Sequence, residues 1–317
     1  MSDVPRRIIL DCDTGSDDAI AIMLAVLHPD LDLLGVTTVW GNAPVEVTTE
    51  NTRRVLAYVG RADVPVLRGA AGPRRPPPPL PEQDHRPRHL DLAPATGPVR
   101  TETALDWLAE TLHASTDPVT VVATGPLTNL AEAVAKRPQL VEEVGEVVVM
   151  GGSRTRPGVT SSAERNFYND APAARAVLGA GFRRLVLVTL DATYEAALDE
   201  EDAHTLGALD TPAGTLAAAL LGERIGDYAR VPGLAGRAAP VHDPLAVASL
   251  VDPAVVGLRP AHVTVEVDDP ATRGRSVIDL DRAGTPTALV ALTADRDRYV
   301  DLLTTTFARG RGVIPAS

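Results

Sequence analysis

The sequence predicts an α/β fold, with an open, mainly parallel, Rossmann-like sheet flanked by helices. From residue 6 onward, short runs of β-branched and aliphatic residues alternate with longer Ala- and Leu-rich segments of helical periodicity, the pattern of βαβ units. Near the C-terminus, "AHVTVEVDD" and "RSVIDLD", joined by "PATRG", predict a small β-hairpin on the edge of the sheet. With 317 residues and 44% hydrophobic content, the chain can bury a sizeable core.

The individual elements follow in order from composition and period. The predicted strands are short and rich in Val, Ile and Leu, and they span 7–12, 32–39, 119–123, 146–150 and 184–190. The predicted helices have apolar residues at helical spacing, and they span 17–28, 45–59, 101–114, 127–136, 170–179, 199–208, 213–229, 244–251 and 296–308. No internal repeat interrupts this order.

One segment, residues 72–98, differs in composition because it is rich in proline. Proline neither continues a helix nor donates to a sheet, so we expect an extended loop, either a solvated connection or a lid. The strand and helix rhythm resumes after it. The sequence therefore predicts one domain, residues 1–317, that contains this loop.

Charge and cysteine content exclude several classes of protein. The chain has 42 acidic and 30 basic residues, a net charge of −12, and no long basic run, so we expect no nucleic-acid partner. The single cysteine, Cys12, excludes an internal disulfide and a cysteine-based zinc site. "MSDVPRR" leads into only a short apolar run before Asp11, too short for a signal peptide, and no apolar run reaches membrane-spanning length. We expect a cytoplasmic protein without a membrane partner.

Four aspartates, Asp11, Asp13, Asp17 and Asp18, crowd into eight residues directly behind the first predicted strand. Like charges a few ångströms apart oppose each other's ionisation unless a positive charge lies between them. Side chains alternate along a strand, so Asp11 and Asp13 are expected on one side and Cys12 on the other. One aspartate would suffice to cap the following helix. Four indicate a bound cation.

Polar residues also follow later elements of the predicted sheet. Asn42 follows the second strand, Thr124 follows another, "SAERNFYND" follows "VVMGGS", and His242 and Asp243 begin a helix. Ligands of parallel α/β sheets bind beyond the carboxyl ends of the strands, so we expect these residues to meet there. Carboxylate and carbonyl oxygens favour Ca²⁺ or Mg²⁺, and a flexible mixture of them favours Ca²⁺, at roughly 2.3–2.6 Å.

With these residues in place, the chain resembles the calcium-dependent, inosine-uridine-preferring nucleoside hydrolase family. The motifs that carry the resemblance lie in the family's order over nearly the whole chain, and they are "DCDTGSDDA", "TTVWGN", "ATGPLTNL", "VVMGGS", "AERN" and "HDPLAVA". The resemblance implies an N-ribosyl hydrolase that splits ribonucleosides into ribose and free base with one Ca²⁺ per subunit. It also implies a homodimer or homotetramer.

The resemblance further implies a role for each matching residue. The metal ligands would be Asp13, Asp18, Asp243 and the backbone carbonyl of Thr124. The ribose ligands would be Asp17, Asn42, Glu164 and Asn166. Asp13 would also be the general base for a calcium-bound water, and His242 would lie near the leaving base.

The nucleobase side of the pocket departs from the family pattern. In the family, the loop after the third strand usually carries glycines and a histidine near the nucleobase. Here that loop reads "DHRPRHLDLAP", with His85 and His89 but no matching glycines. Gly158 stands where the family offers an Asn to the 5′ end of the ribose. We predict Tyr228 and His85 as base contacts, with Arg230 nearby. The preferred base does not follow from the sequence.

Two other functions compete with this reading. "LDCDTG" also resembles the start of haloacid-dehalogenase phosphatases, which use Mg²⁺ and a downstream lysine, and the single lysine here is Lys136 in "AVAKRPQL". Alternatively, the chain keeps the fold and the calcium as a catalytically silent ribose-binding protein, which the altered loop and Gly158 would favour.

Overall fold

The computed structural model describes residues 4–78, 89–97, 99–229, 238–282 and 284–309. Its strands are β1 (Arg6–Cys12), β2 (Leu31–Thr38), β3 (Val66–Arg68), β4 (Val119–Ala123), β5 (Val144–Met150), β6 (Leu185–Val188), β7 (Leu198–Asp199), β8 (Ala238–Ala239), β9 (Val256–Val265), β10 (Ser276–Asp279) and β11 (Ala288–Ala294).

The helices alternate with these strands along most of the chain. They are α1 (Ser16–Leu27), α2 (Val45–Tyr58), α3 (Ala104–Ala114), α4 (Thr128–Lys136), α5 (Leu140–Glu143), α6 (Arg165–Asn169), α7 (Ala171–Leu178), α8 (Leu190–Glu195), α9 (Glu200–Gly207), α10 (Pro212–Tyr228), α11 (His242–Val251) and α12 (Arg296–Ala308). A short 3₁₀ turn, Pro253–Val255, follows α11.

A nine-stranded sheet connects the chain in the order β10-β9-β11-β6-β5-β4-β1-β2-β3. All neighbours from β3 to β11 pair parallel, whereas β9 is antiparallel to both β11 and β10. The predicted open, mainly parallel sheet and its C-terminal edge hairpin are therefore confirmed. From β1 the chain first proceeds to β2 and β3 on one side and then to β4 on the other. The order thus reverses between β1 and β4, and such a switch point opens a crevice for ligands.

Helices cover both faces of the sheet because successive side chains of each strand point in opposite directions. Ile8, Leu10 and Cys12 lie in one apolar core, and Ile9 lies in the other. Helix α1 is buried along almost its whole length. It directly follows β1 and packs against β2 and α11, which holds its first turn at the carboxyl edge of the sheet.

Several elements were not predicted, namely β3, β7, β8, β11, α5, α6 and α8. β3 has three residues, too few to show a period. "ALVALTA" of β11 is rich in Ala and Leu and reads equally as a helix. The predicted strand 184–190 ends earlier, with β6 at Val188, because Thr189 is the N-cap of α8 and Leu190 its first residue. Tertiary packing decides such short segments.

Both ends of the proline-rich loop are hydrogen-bonded to helices. The main-chain N–H of Arg74 donates to Asp170 at 2.9 Å, and that of Leu90 donates to Asn51 at 3.0 Å. Residues 79–88 lie outside the described part of the chain. Among the helices that the model describes, none is long and apolar enough to cross a membrane.

Candidate active site

The predicted site residues converge at the carboxyl edge of the sheet, around its switch point. Asp13 follows β1, Asn42 follows β2 and Thr124 follows β4. Asp243 joins them from the first turn of α11, which packs against α1. Residues distant in the sequence therefore share one crevice because parallel strands end at the same edge.

Three buried carboxylates form the centre of the site. Oxygens of Asp17, Asp18 and Asp243 all lie within 4.8 Å of one another. Asp17 and Asp18 are in the first turn of α1 and Asp243 is in the first turn of α11. Both helix N-termini favour negative charge. We refer to these three residues as the acidic trio.

Burial and mutual repulsion oppose ionisation of this site. They raise the pKa of Asp18 to about 7, through burial first and the charge of Asp17 second. The pKa values of Asp13 and Asp243 also lie well above the usual range, chiefly because both side chains are buried and near other carboxylates. The carboxylates would ionise together only with positive charge between them. All the donors are oxygens, so the site fits a hard cation such as Ca²⁺.

Asp13 lies beside the trio in a narrow turn. Its Oδ2 accepts the main-chain N–H of Asn42 at 2.6 Å, and Asn42 Nδ2 donates to Asp18 Oδ2 at 3.3 Å. A Cβ atom on Gly41 or Gly125 would collide with the Asp13 carboxylate or its surroundings. The two glycines thus let the chain wrap closely around Asp13, which holds this carboxylate in one orientation.

Thr124 and Asn166 connect the site to the ends of β4 and β5. Thr124 Oγ1 donates to Asp18 Oδ1 at 2.8 Å. The Thr124 carbonyl accepts Asn166 Nδ2 at 2.7 Å. A carbonyl oxygen has two lone pairs, so this contact leaves capacity for a cation.

Glu164 has a clear structural role as the N-cap of α6, within the segment predicted as a polar loop. Its carboxylate accepts the main-chain N–H groups of Gly152, Asn166 and Phe167 at 3.1, 2.7 and 3.0 Å. Burial still raises its pKa, although these hydrogen bonds oppose the shift. The cap fixes the start of α6, and hence the position of Asn166, in the pocket.

His242 lies in a hydrogen-bonded row of side chains on the opposite wall. Its Nδ1 is 2.7 Å from Thr193 Oγ1 and its Nε2 is 3.1 Å from the Tyr228 hydroxyl. Tyr194 packs edge-on against Tyr228, with ring centroids 6.5 Å apart. Burial, with the positive charge of Arg224, lowers the pKa of His242 to about 3, so this imidazole is neutral at pH 7.

Asp11 is buried behind the site and is held by structural contacts. Its Oδ1 accepts Thr37 Oγ1 at 2.6 Å and Asn129 Nδ2 at 2.7 Å. Its Oδ2 has no hydrogen-bond partner among the described residues. Burial raises the pKa of Asp11 to about 6, partly offset by the two bonds. Asp11 ties β1 to β2 and α4.

The remaining predicted residues are not brought into the site by the described structure. His85 and Arg230 lie outside the described residues, and His89 is exposed. At Gly158, a Cβ atom would come within 2.7 Å of the Glu164 Cα. The loop therefore has no room for a side chain at Gly158. Lys136 pairs with Asp106 at 2.8 Å on the surface and does not serve a phosphatase site.

Three side chains of the site were missed by sequence reasoning, Arg224, Thr193 and Tyr194. Arg224 forms an ion pair with Asp17 at 2.9 Å and lies four residues before Tyr228, which places both on one face of a helix. Tyr194 lies shortly after β6 and could have been found by the strand-end argument that located Thr124.

Fold and site together define an α/β protein with a cluster of buried carboxylates, of a chemistry that suits a hard cation, at the switch point of its sheet. A family model, the inosine-uridine preferring nucleoside hydrolase, matches residues 8–301. The chain belongs to this family of ribonucleoside hydrolases, as its motifs predicted.

Curated relatives and solved structures agree with this membership. The chain is 36% identical over 309 residues to the pyrimidine-specific ribonucleoside hydrolase RihA of Shewanella sp. (strain MR-7), covering 96% of each chain. It is 36% identical over 301 residues to RihA of Escherichia coli O7:K1, covering 93% of this chain and 96% of the relative. The structure of a purine-preferring ribonucleoside hydrolase from Gardnerella vaginalis superposes with a TM-score of 0.86 at 28% identity, covering 96% of this chain and 98% of that one.

Proposed function

We propose that this enzyme hydrolyses the N-glycosidic bond of pyrimidine ribonucleosides, giving ribose and the free base, with one Ca²⁺ per subunit. The observation that carries the proposal is the acidic trio of Asp17, Asp18 and Asp243, buried at the switch point beside Asp13. The preference for pyrimidines is supported by the RihA relatives, at 36% identity. The more distant purine-preferring neighbour shares 28%.

The cation would be held by Asp13, Asp18, Asp243 and the carbonyl of Thr124. When bound, calcium would neutralise these carboxylates, acidify the attacking water and align the ribose diol. Asp18 is already oriented by neutral donors, Thr124 Oγ1 and the Gly15 main-chain N–H, at 2.8 and 3.0 Å. These contacts preorganise the donor set before any ligand enters.

Asp13 is the proposed general base. Its Oδ2 is held by Asn42, and it lies next to the trio, within reach of a water placed between the cation and the ribose. Burial raises the pKa of Asp13, and a bound cation would lower it again, which would keep the carboxylate ionised and able to accept a proton.

The ribose is proposed to bind through Asp17, Asn42, Glu164 and Asn166. Breaking the glycosidic bond places positive charge on the ribosyl ring, and nearby carboxylates stabilise that charge more than they stabilise the neutral substrate. Glu164 keeps an acceptor position after its cap bonds because a carboxylate has about four lone-pair sites. The acidic pocket therefore favours the transition state over the ground state.

The leaving base is proposed to meet Tyr228 and His242, with His85 from the proline-rich loop. His242 is neutral, so it does not act as an imidazolium acid. It can instead hold the Tyr228 hydroxyl at 3.1 Å, while Thr193 fixes its other nitrogen at 2.7 Å. If Thr193 Oγ1 donates to Nδ1 and Nε2–H donates to the Tyr228 oxygen, the Tyr228 O–H is left to hydrogen-bond to the departing base as negative charge develops on it.

A nucleoside panel tests the proposal directly. Release of reducing sugar from uridine, cytidine, inosine and their 2′-deoxy counterparts would be measured with and without a calcium chelator. We expect turnover of uridine or cytidine above that of inosine, and loss of turnover on chelation that calcium restores. Binding of a nucleoside without release of base would instead indicate the silent binding protein. The oligomeric state, proposed as a homodimer or homotetramer, is checked by light scattering, and the proposed cytoplasmic location by cell fractionation.

A further inference from the structure

Distance alone does not separate metal ligands from substrate ligands in the acidic trio. Asp17, Asp18 and Asp243 each place an oxygen within 4.8 Å of the other two, so a cation could engage all three. The proposed function, however, requires Asp17 to face the ribose. Some feature of this chain must separate Asp17 from its two neighbours.

Arg224 supplies that distinction. Its Nη2 lies 2.9 Å from Asp17 Oδ2, and the two side chains are only 13% and 11% exposed. The hydrogen bonds to Asp18, by contrast, come from neutral donors, Thr124 Oγ1 and the Gly15 N–H. A carboxylate already paired with a guanidinium attracts a second cation less than an unpaired one.

Several contacts hold the Arg224 guanidinium in one orientation. Its Nε donates to the Pro240 carbonyl at 2.6 Å and its Nη1 to Ser16 Oγ at 3.2 Å. Its Cζ lies 5.3 Å from the centre of the Tyr228 ring. Arg224 thereby joins α10, the start of α1 and the segment before His242, and its rigid planar fork sets the direction of the Asp17 carboxylate.

We propose that Arg224 is a positioning residue that withholds Asp17 from the cation and aims it at the ribose hydroxyls. The part of this inference that concerns ribose binding, its ribose half, rests on the proposed function. The part that concerns the affinity of the pocket for calcium, its metal half, can be tested without any turnover of substrate.

Two variants of Arg224 and one control test the inference. Arg224→Met removes the charge and keeps much of the side-chain length, and Arg224→Lys restores a charge without the fork. Arg6→Met is the control because Arg6 pairs with the buried Glu146 at the opposite end of β1. Calcium affinity of chelator-stripped protein would be measured by isothermal titration, and kcat and KM on uridine and 2′-deoxyuridine at saturating calcium.

Arg224→Met should bind calcium more tightly, by about tenfold, because the freed Asp17 adds its charge to the metal site. KM for uridine should rise about tenfold with a smaller change in kcat, and the preference for uridine over 2′-deoxyuridine should fall about tenfold or more. Arg224→Lys should recover part of each change. Arg6→Met should lower thermal stability and leave calcium affinity and sugar preference at wild-type values.

If the role of Arg224 is purely structural, its replacement should neither tighten calcium binding nor change the sugar preference. Calcium affinity in Arg224→Met that is equal to or weaker than wild type, with an unchanged sugar preference, would overturn the inference. If the wild type splits no nucleoside, the proposed function fails, but the calcium titrations still decide the metal half. Tighter binding in Arg224→Met would then support it and unchanged binding would reject it.

Discussion

At the scale of single residues, Asp13 carries the chemistry in the proposed mechanism. Asp13→Asn keeps an oxygen for the cation but cannot accept a proton. We expect kcat to fall by roughly 10² to 10⁴ at saturating calcium, with a smaller change in KM because Asp17 and Asn166 still hold the ribose. Steady-state kinetics across a calcium series measure this. A variant within tenfold of wild type would show that the base lies elsewhere.

Asp11 is the matched control, since it is an aspartate near the end of β1, two residues before Asp13. Asp11→Asn should affect stability more than rate, because Asp11 joins Thr37 and Asn129 behind the pocket and makes none of the proposed metal or ribose contacts. The expected result is a lower midpoint of urea unfolding with kcat close to wild type. A large loss of kcat with unchanged stability would place Asp11 in the catalytic machinery.

At the scale of elements, Asp191 at the start of α8 holds the loop after β5. It accepts the main-chain N–H groups of Arg154 and Thr155 at 2.6 and 3.0 Å, and also Ser153 Oγ at 3.2 Å. Burial alone would raise its pKa, but these bonds outweigh burial and lower it. This loop precedes the Glu164 cap, so α8 supports the segment that carries the proposed ribose ligands Glu164 and Asn166.

The lowered pKa of Asp191 sets the sign of a pH effect. Its stabilisation is complete above the unfolded pKa, about 3.9, and is lost as the pH falls through the lower folded value. We therefore expect the unfolding free energy of Asp191→Asn to lie below wild type at pH 6 and the gap to narrow below about pH 4. Urea unfolding from pH 6 to 3 measures the gap. The exposed Asp301→Asn should show no such gap, and a gap for Asp191→Asn that widens in acid would contradict the assignment.

At the scale of the whole molecule, the acidic site joins α1, α11 and the ends of β1 and β4. A cation that binds only the folded chain stabilises all of these elements together. Calcium should raise the melting temperature of chelator-stripped protein by about 5 °C or more, measured by differential scanning fluorimetry. Asp243→Asn should lose most of this shift. Equal melting temperatures with calcium and with chelator would argue against a calcium site.

The net charge of the whole molecule should also affect which substrates the enzyme accepts. The chain carries a net charge of −12 and its pocket is acidic, so 5′-phosphate groups should be repelled. We therefore expect kcat/KM for uridine monophosphate to be lower than that for uridine by about tenfold or more. Added salt should narrow the difference because it screens the repulsion. Comparable rates on both substrates at low salt would remove this claim.

Much of the fold was predictable because strand and helix periods are local properties. The runs that end just before Asp13, Thr124 and Gly151 were recognised as strands, and their order implied a parallel sheet. The short α6 was not predicted, since its five residues depend on the Glu164 cap and on packing against the sheet. The strand β11 was missed because its Ala- and Leu-rich sequence suits a helix as well.

By itself, the sequence determined which residue types stand at the strand ends, and therefore that oxygen donors such as Asp13, Asn42 and Thr124 meet at one edge. The tertiary structure decided which of them interact. Arg224 reaches Ser16 across 208 residues, and Asn129 reaches Asp11 across 118. No local period encodes such pairs, because they depend on how α10 and α4 pack against the sheet. The physical reason is that strand ends follow from the local pattern of residue types along the chain, whereas the charge partner of each buried carboxylate follows from the packing of distant elements.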